Sequence, residues 1–502
     1  MIRKISVHNY WLRTKLALCL FLGVIHWLPT MAQEAASNPL LLTPDAQQND
    51  FLTLRTIIFE TVVDPYATMT PTAWDSLLTQ IERQLTIPQS QLDFYFSILP
   101  AVQALEDIHT RIWLPQQAYP YYWEGGMYLP VSVRQAGQEL IILKDKEGII
   151  PKGSVIRRIN GHDVDSLFAL IVATQFTDGK LPDPRTRLAE SDFMSRLGWF
   201  LPLDSLVRVD IKLPTGADSS IAYPSLQANT YKPPKPTKEE KKVLPWSFSV
   251  LDSLPVAVMS IKSFSNGGGS KYYSFLRESF QTLDKDNIPY LIIDIRKNTG
   301  GYLGRGEALF RYLIDAPTPY TYASIVKGSA IAKDGLKERF FLPGISFGLF
   351  PWTKSKDLRT IWKTEPGDLD TLYYKPAKPF KPSKQYQGEI ILLTDGLSIS
   401  NSALFRNAMA HYQLGTNVGT TVAGLSFGTY GNSTAFKLPL SGISGTISTM
   451  RVISHPRGMI VSDAPILPEH IVDWSVEDWL NQRDTQLEYA LNLIKASLSP
   501  SK

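Results

Sequence analysis

The residues that could do chemistry sit in two short stretches. One is Asn298-Thr-Gly-Gly301; the other is Ser398-Ile-Ser-Asn-Ser402. A glycine-rich turn lets backbone N–H groups approach a ligand closely, because no Cβ stands in the way. A serine at the start of a helix lies where unpaired N–H groups and the helix dipole favour negative charge. Ser400 beside Gly300 and Gly301 therefore suits attack on a carbonyl, with the backbone N–H groups of Gly300, Gly301 and Asn401 holding the oxyanion. Each piece also has a plain reading: a helix-start serine is commonly an N-cap, and Asn-Thr-Gly-Gly is commonly a turn. Phosphate cradling is the other use of such a loop, but no Gly-Lys-Ser/Thr follows.

Both stretches follow apolar runs. Tyr290-Leu-Ile-Ile-Asp-Ile-Arg296 and Glu389-Ile-Ile-Leu-Leu-Thr394 read as buried strands, each leading through its loop into an amphipathic helix. If the two strands share a parallel sheet, their loops leave the same carboxyl edge, where α/β proteins place their sites. Val256–Ile261 reads as a third strand of this region. Between them, residues 316–388, rich in Pro, Trp and Lys, read as a long surface insertion. Upstream, Thr70-Pro71 starts a helix whose apolar stripe is Trp74, Leu77, Leu78, Ile81 and Leu85. A second helix runs from Ser90 toward Asp107, with His109 at or beyond its end. Residues 121–228 form a β-rich module containing two glycine turns around Ser154–Asn160. The Pro- and Lys-rich stretch 229–250 is a linker, to whose charge run no chemistry is assigned.

The 502-residue chain, 44% hydrophobic and 20% charged, has globular composition spread over several domains. Its charge of +4 is an artefact of one end: Arg3, Lys4, Arg13 and Lys15 precede any acidic residue. Setting these four aside leaves 47 basic residues against 47 acidic, so nothing points to nucleic acid. The same basic start, the apolar run Leu16–Ile25 and Thr30-Met-Ala32 read as a signal peptide over residues 1–32. The single cysteine, Cys19, lies inside it, so a mature chain has no thiol for disulfides, catalysis or metal binding. The expected location is periplasmic or secreted, with no stable membrane insertion after cleavage.

Residues 291–301 resemble the Asp-Leu-Arg-x-Asn-x-Gly-Gly signature of the tail-specific, or C-terminal processing, serine peptidases, including their tricorn-core branch. Residues 394–405 resemble the family's nucleophile segment, which places Ser400 at the serine. Gly419-Thr-Thr-Val-Ala-Gly424 and Ile466–Val472 are similar to later family segments. The resemblance implies an α/β multidomain protein: a ClpP/crotonase-like β-α catalytic core in residues 251–502, a PDZ-like module at 121–228 and an N-terminal helical domain at 33–120.

The processing branch uses a lysine one loop beyond the serine, and here Thr420–Gly428 contains none; Lys437 reads as an outward strand residue. The other branch uses an Asp-x-His-Thr segment, matched by Leu105-Glu-Asp-Ile-His-Thr110, so the resemblance carries the general base onto His109. By itself a histidine after a helix is usually a surface or capping group, and His162, His411, His455 and His470 have weaker claims. Asn401 and Ala403 stand where the family has Ala and Glu, leaving Ser398 and Ser402 as fallback nucleophiles. Asp463 and Glu469 are the candidate acidic orienters. The implied activity is a serine endopeptidase acting by a Ser–His mechanism on unfolded or tail-exposed polypeptide, with no metal or organic cofactor. The module would capture extended peptide, Gly125–Leu129 being its candidate carboxylate loop, and homo-oligomerisation is left open. The alternative is a non-catalytic member that binds peptide or an apolar ligand in the same cleft.

Overall fold

The computed structural model describes residues 41–115, 127–227, 243–339, 347, 355–381, 385–459 and 464–498. The signal-peptide reading of 1–32, the basic run 231–242, Gly125-Gly126 and Asp463 lie outside them. No helix among the described residues is long and apolar enough to cross a membrane.

The chain begins with α1 (Pro44–Thr61), α2 (Pro71–Gln84) and α3 (Gln91–Gln103). All three start at a hydroxyl cap: Thr43, Thr70 and Ser90 accept the N–H of Ala46, Ala73 and Asp93. The expected stripe of α2 is buried at Trp74, Leu78, Ile81 and Leu85. Helix α3 ends four residues before Asp107, because Glu106 turns into the left-handed region at φ 49°. His109 therefore lies in a turn, ahead of β1 (Arg111–Trp113).

Next come β2 (Val131–Ala136), β3 (Glu139–Asp145), β4 (Val155–Ile159), α4 (Val164–Ala173), α5 (Pro182–Phe200), β5 (Leu206–Lys212) and β6 (Asp218–Pro224). The strands form an antiparallel sheet in the order β6-β5-β4-β3-β2, with a short His162–Asp163 strand on β4. Phe168, Phe193 and Leu197 from the helices close its core over Ile142, Ile156 and Val209.

The remaining elements build the main core: β7 (Trp246–Val250), β8 (Val256–Ile261), α6 (Gly269–Lys285), β9 (Tyr290–Asp294), α7 (Leu303–Phe310), β10 (Ala323–Lys327), β11 (Leu369–Tyr373), β12 (Glu389–Thr394), α8 (Asn401–His411), β13 (Thr416–Gly419), β14 (Gly428–Gly431), β15 (Thr434–Lys437), β16 (Ser444–Ile447), β17 (Met450–Ile453), β18 (His470–Ile471) and α9 (Thr485–Leu498). Its central sheet runs β7-β8-β9-β12-β13-β18; β7 is antiparallel and the others parallel. Both faces are covered, which is why these strands read as unbroken apolar runs. Leu291 and Ile293 pack with Leu276 of α6 and Phe405 of α8, while Ile292 and Leu393 pack with Ala490 and Ile494 of α9.

Two sequence expectations change. Residues 246–250, placed in the linker, are the edge strand β7, with Trp246 buried against Tyr272. Residues 316–388 are not wholly a surface excursion. Strand β10 is internal to a second sheet, β11-β10-β17-β14, and buries Ala323 and Val326. A third sheet, β15-β16-β1, pairs the segment just after His109 with residues 444–447. The N-terminal helices pack on it through Leu438, Ile443 and Ile447. Asp50 of α1 adds to this seam by accepting the N–H groups of Leu440 and Ser441.

Candidate active site

Strands β9 and β12 are neighbours in parallel register, Asp294 opposite Leu393, so their loops leave one edge together. Asn298 joins the loops. Its carbonyl accepts the Ile399 N–H at 3.0 Å, its Nδ2 donates to Ile261 O at 2.9 Å, and its Oδ1 accepts the Gly300 N–H at 2.9 Å. Gly300 has φ 93°, and a Cβ there would sit 2.8 Å from the Ile399 carbonyl oxygen and 2.8 Å from Ser400 Cβ. A glycine is thus required by both conformation and space.

Ser400 occupies φ 58°, ψ −121°, the geometry of the first central position of a II′ turn, normally glycine's place. Its side chain makes no capping hydrogen bond, so the plain N-cap reading does not hold. Ser400 is partly exposed at the head of a helix whose residues 401–409 are all buried. The fallback serines are otherwise engaged or enclosed. Ser398 Oγ donates to Ile295 O and accepts the Asp395 N–H, and Ser402 is fully buried.

The oxyanion donors need one correction. Gly300 N–H is already committed to Asn298 Oδ1, so it is not free to bind an oxyanion. The N–H groups of Gly301 and Asn401 have no acceptor among the described residues. Asn401 is held in place by its side chain, which donates to Tyr302 O at 2.8 Å and accepts the Tyr320 hydroxyl at 2.6 Å.

His109 is fixed through its backbone. Its N–H donates to Asp107 Oδ1 at 2.8 Å, and its carbonyl accepts from Thr446 at 2.8 Å and Ser433 at 3.2 Å. The ring lies with Nδ1 3.4 Å from Asp107 Oδ1, an ion-pair contact longer than a good hydrogen bond. Asp107 is itself held by Thr110, whose hydroxyl donates to Oδ2 at 2.5 Å. A second buried carboxylate, Asp178, accepts the Ile108 N–H at 2.9 Å and the Thr429 hydroxyl at 3.0 Å. Ile108 and Ile399, the residues just before His109 and Ser400, share one buried cluster with Ala423. The two segments are thereby packed together, although no hydrogen bond joins His109 to Ser400.

Electrostatics follow from this burial. Desolvation works to lower the His109 pKa, but Asp107, helped by Asp178, holds it above the ordinary histidine value. Burial would raise Asp107, yet the His109 contact and the Thr110 hydroxyl keep it below the usual carboxylate range. Asp178 is pushed up to about 7, chiefly by burial and against the pull of His109.

Of the expected orienters, Glu469 does not sit here. Glu469 accepts the Asn417 N–H at 2.8 Å at the start of β13 and acts on Arg406, while Asp463 is outside the described residues. Asp107 was missed as an orienter, although the Asp-x-His spacing could have pointed to it; Asp178, seventy positions from Ile108 on the loop between α4 and α5, carries no local signal. The carboxylates of Asp107 and Asp178 and the ring of His109 offer ligand atoms within 4.8 Å of one another, but each carboxylate already serves backbone N–H and hydroxyl donors. Lys437 points outward, as expected.

Residues 255–455 match the family model described as peptidase family S41. No curated protein matches. Among solved structures, mature CPAF is similar with a TM-score of 0.59 at 14% identity, covering 86% of this chain and 94% of that one. Mature CPAF complexed with lactacystin is similar with a TM-score of 0.64 at 13% identity, covering 90% of this chain and 98% of that one. At such identities the likeness is one of fold, and it extends over nearly the whole of both chains.

Proposed function

The core of this chain, residues 255–455, belongs to peptidase family S41 and the protein is a serine peptidase; from that premise we propose that Ser400 is its nucleophile and His109 its general base. Ser400 would attack the scissile carbonyl while His109 takes its proton, later returning it to the leaving amine. Asp107 orients the ring and stabilises its charged form, the part a triad's third member plays. The N–H groups of Gly301 and Asn401 would bind the oxyanion. The observation that carries this reading is the Ser400 backbone: a non-glycine residue is held in a glycine conformation, with its hydroxyl uncommitted, against Gly300.

The substrate would be unfolded or tail-exposed polypeptide, taken up after export. Two features support this: the signal-peptide pattern of residues 1–32, and an antiparallel module at 127–227 of the kind that adds an extended peptide to a sheet edge. A fluorophosphonate probe tests the assignment. It should modify Ser400, and the label should vanish in Ser400→Ala and fall steeply in His109→Ala. A label mapped to any other serine, or an active Ser400→Ala, would remove the assignment.

A further inference from the structure

Beyond the reacting groups, a cavity of about 900 Å³ opens from Gly301 and Tyr302 toward Glu307, Tyr320 and Met450. Glu307 lies on α7 and is half-buried, yet no hydrogen bond or ion pair reaches its carboxylate among the described residues. Arg311, which acts on it electrostatically, makes no ion pair with it. Arg311 packs its guanidinium 4.2 Å over the Phe380 ring and donates Nε to Lys378 O at 2.7 Å. Lys356 and Lys375 also line the cavity, but both are exposed and neither pairs with Glu307. Asp357 on the same wall is already bonded to the Tyr374 hydroxyl. Burial raises the Glu307 pKa, with Arg311 opposing.

The position of this carboxylate matters more than its charge. Gly306, the preceding residue, lies so close to the nucleophile's neighbour that a Cβ there would fall 2.1 Å from Tyr320 Oη and 2.9 Å from Asn401 Oδ1. The cavity is therefore lined by Gly301, beside Gly300, by Tyr320, whose hydroxyl donates to Asn401, and by Glu307, whose carboxylate is unpaired among the described residues. Semi-buried charge without a partner is costly in a folded protein unless a ligand completes it.

We infer that this cavity is a substrate subsite in which Glu307 receives the ammonium or guanidinium of a lysine or arginine side chain next to the scissile bond. The long apolar stem would lie along Tyr302, Leu303 and Met450, with the cation at the carboxylate. The inference rests on Ser400 being the nucleophile, so its test separates the two.

Two phosphonate esters that differ only in the side chain at the scissile position, aminobutyl or n-butyl, are reacted with the full chain. The aminobutyl probe should modify Ser400 at least about tenfold faster, and Glu307→Gln should bring the two rates together. Glu307→Lys should turn the preference toward a carboxypropyl probe. Equal rates for aminobutyl and n-butyl in the wild type, with Ser400 modified by both, would overturn the subsite and leave the nucleophile standing. If neither probe modifies Ser400, the nucleophile assignment falls and the subsite is judged by binding alone. Ser400→Ala protein is then titrated with peptides differing only in lysine against norleucine; equal affinity overturns the subsite and a lysine preference of about tenfold supports it.

Discussion

Gly300 and Ser400 approach so closely that a Cβ on the glycine would lie 2.8 Å from the Cβ of the serine. The contact joins the carboxyl ends of two adjacent parallel strands, and it sets the distance between the Asn298–Gly301 turn and the proposed nucleophile. Gly300→Ala introduces both a steric clash and a left-handed φ of 93°. The expected result is at least about a hundredfold loss of peptidase activity and a destabilisation of roughly 1–3 kcal/mol. Thermal unfolding and fluorophosphonate labelling measure the two effects separately; an active, equally stable alanine variant would contradict the packing.

Ser400 holds a conformation that costs a non-glycine residue about 1–3 kcal/mol. Ser400→Ala removes the hydroxyl but keeps the strain, whereas Ser400→Gly relieves it and adds unfolded-chain entropy of about 0.4–1 kcal/mol. Both variants should be inactive. The glycine variant should melt at a temperature equal to or above that of the alanine variant. A glycine variant clearly less stable than alanine would show that the backbone is not strained.

His109 is held above the ordinary histidine pKa, so its neutral, basic form fills in only at correspondingly higher pH. The acidic limb of kcat/KM should lie above that of an unperturbed histidine. Asp178→Asn keeps an acceptor for the Ile108 N–H but removes a negative charge that favours the imidazolium. The limb should therefore move to lower pH. A limb that does not move would separate Asp178 from the histidine. Asp107→Asn should shift it the same way and also lower kcat, since ring orientation is lost.

The same groups set a stability trend. Asp178 has a folded pKa of about 7, raised above its unfolded value, so the folded state binds the extra proton between the two. Stability should fall as pH rises from about 4 to about 7 through this group, and Asp178→Asn should gain on the wild type across that interval. Urea unfolding at several pH values would read the difference; a constant gap between the two proteins would exclude the linkage.

Arg296 does structural work within its signature. It bridges Asp294, at 2.9 and 3.0 Å, to Asp484, at 2.7 and 2.7 Å, and so ties β9 to the start of α9. Although burial would raise Asp294 and Asp484, Arg296 holds both below the usual carboxylate range. Their contribution is present above the ordinary carboxylate pKa and is lost as pH falls below it. Arg296→Lys keeps the charge but not the planar fork, and should cost about 1–3 kcal/mol at neutral pH. Unchanged stability in this variant would mean that the bridge adds nothing.

The setting of the proposed nucleophile, Ser400, was legible because it is written in consecutive residues. Unbroken apolar runs specify strands buried on both faces, and the residues that follow them are the loops of one sheet edge. Local pattern and turn chemistry therefore mark Asn298, Gly300 and the serine-rich stretch 398–402, within which the family resemblance places Ser400 at the serine. Strand β10 did not, because its Ala-Ser-Ile-Val-Lys pattern is short and sits among Pro, Trp and Lys that suggest solvent. The surroundings of His109 were legible only in part. Asp107 lies two residues away in the matched segment, yet it had no expected role, the orienters expected from sequence being Glu469 and Asp463. Asp178, Ser433 and Thr446 reach the same turn from three other segments. Sequence by itself determined the strand–loop–helix units, the helix caps and the residue types able to attack and to accept a proton. Which carboxylates surround the histidine, which N–H groups stay open and where an unpaired glutamate faces the cleft were decided only by tertiary packing. Those properties belong to contacts between chain-distant segments, and no local periodicity encodes them.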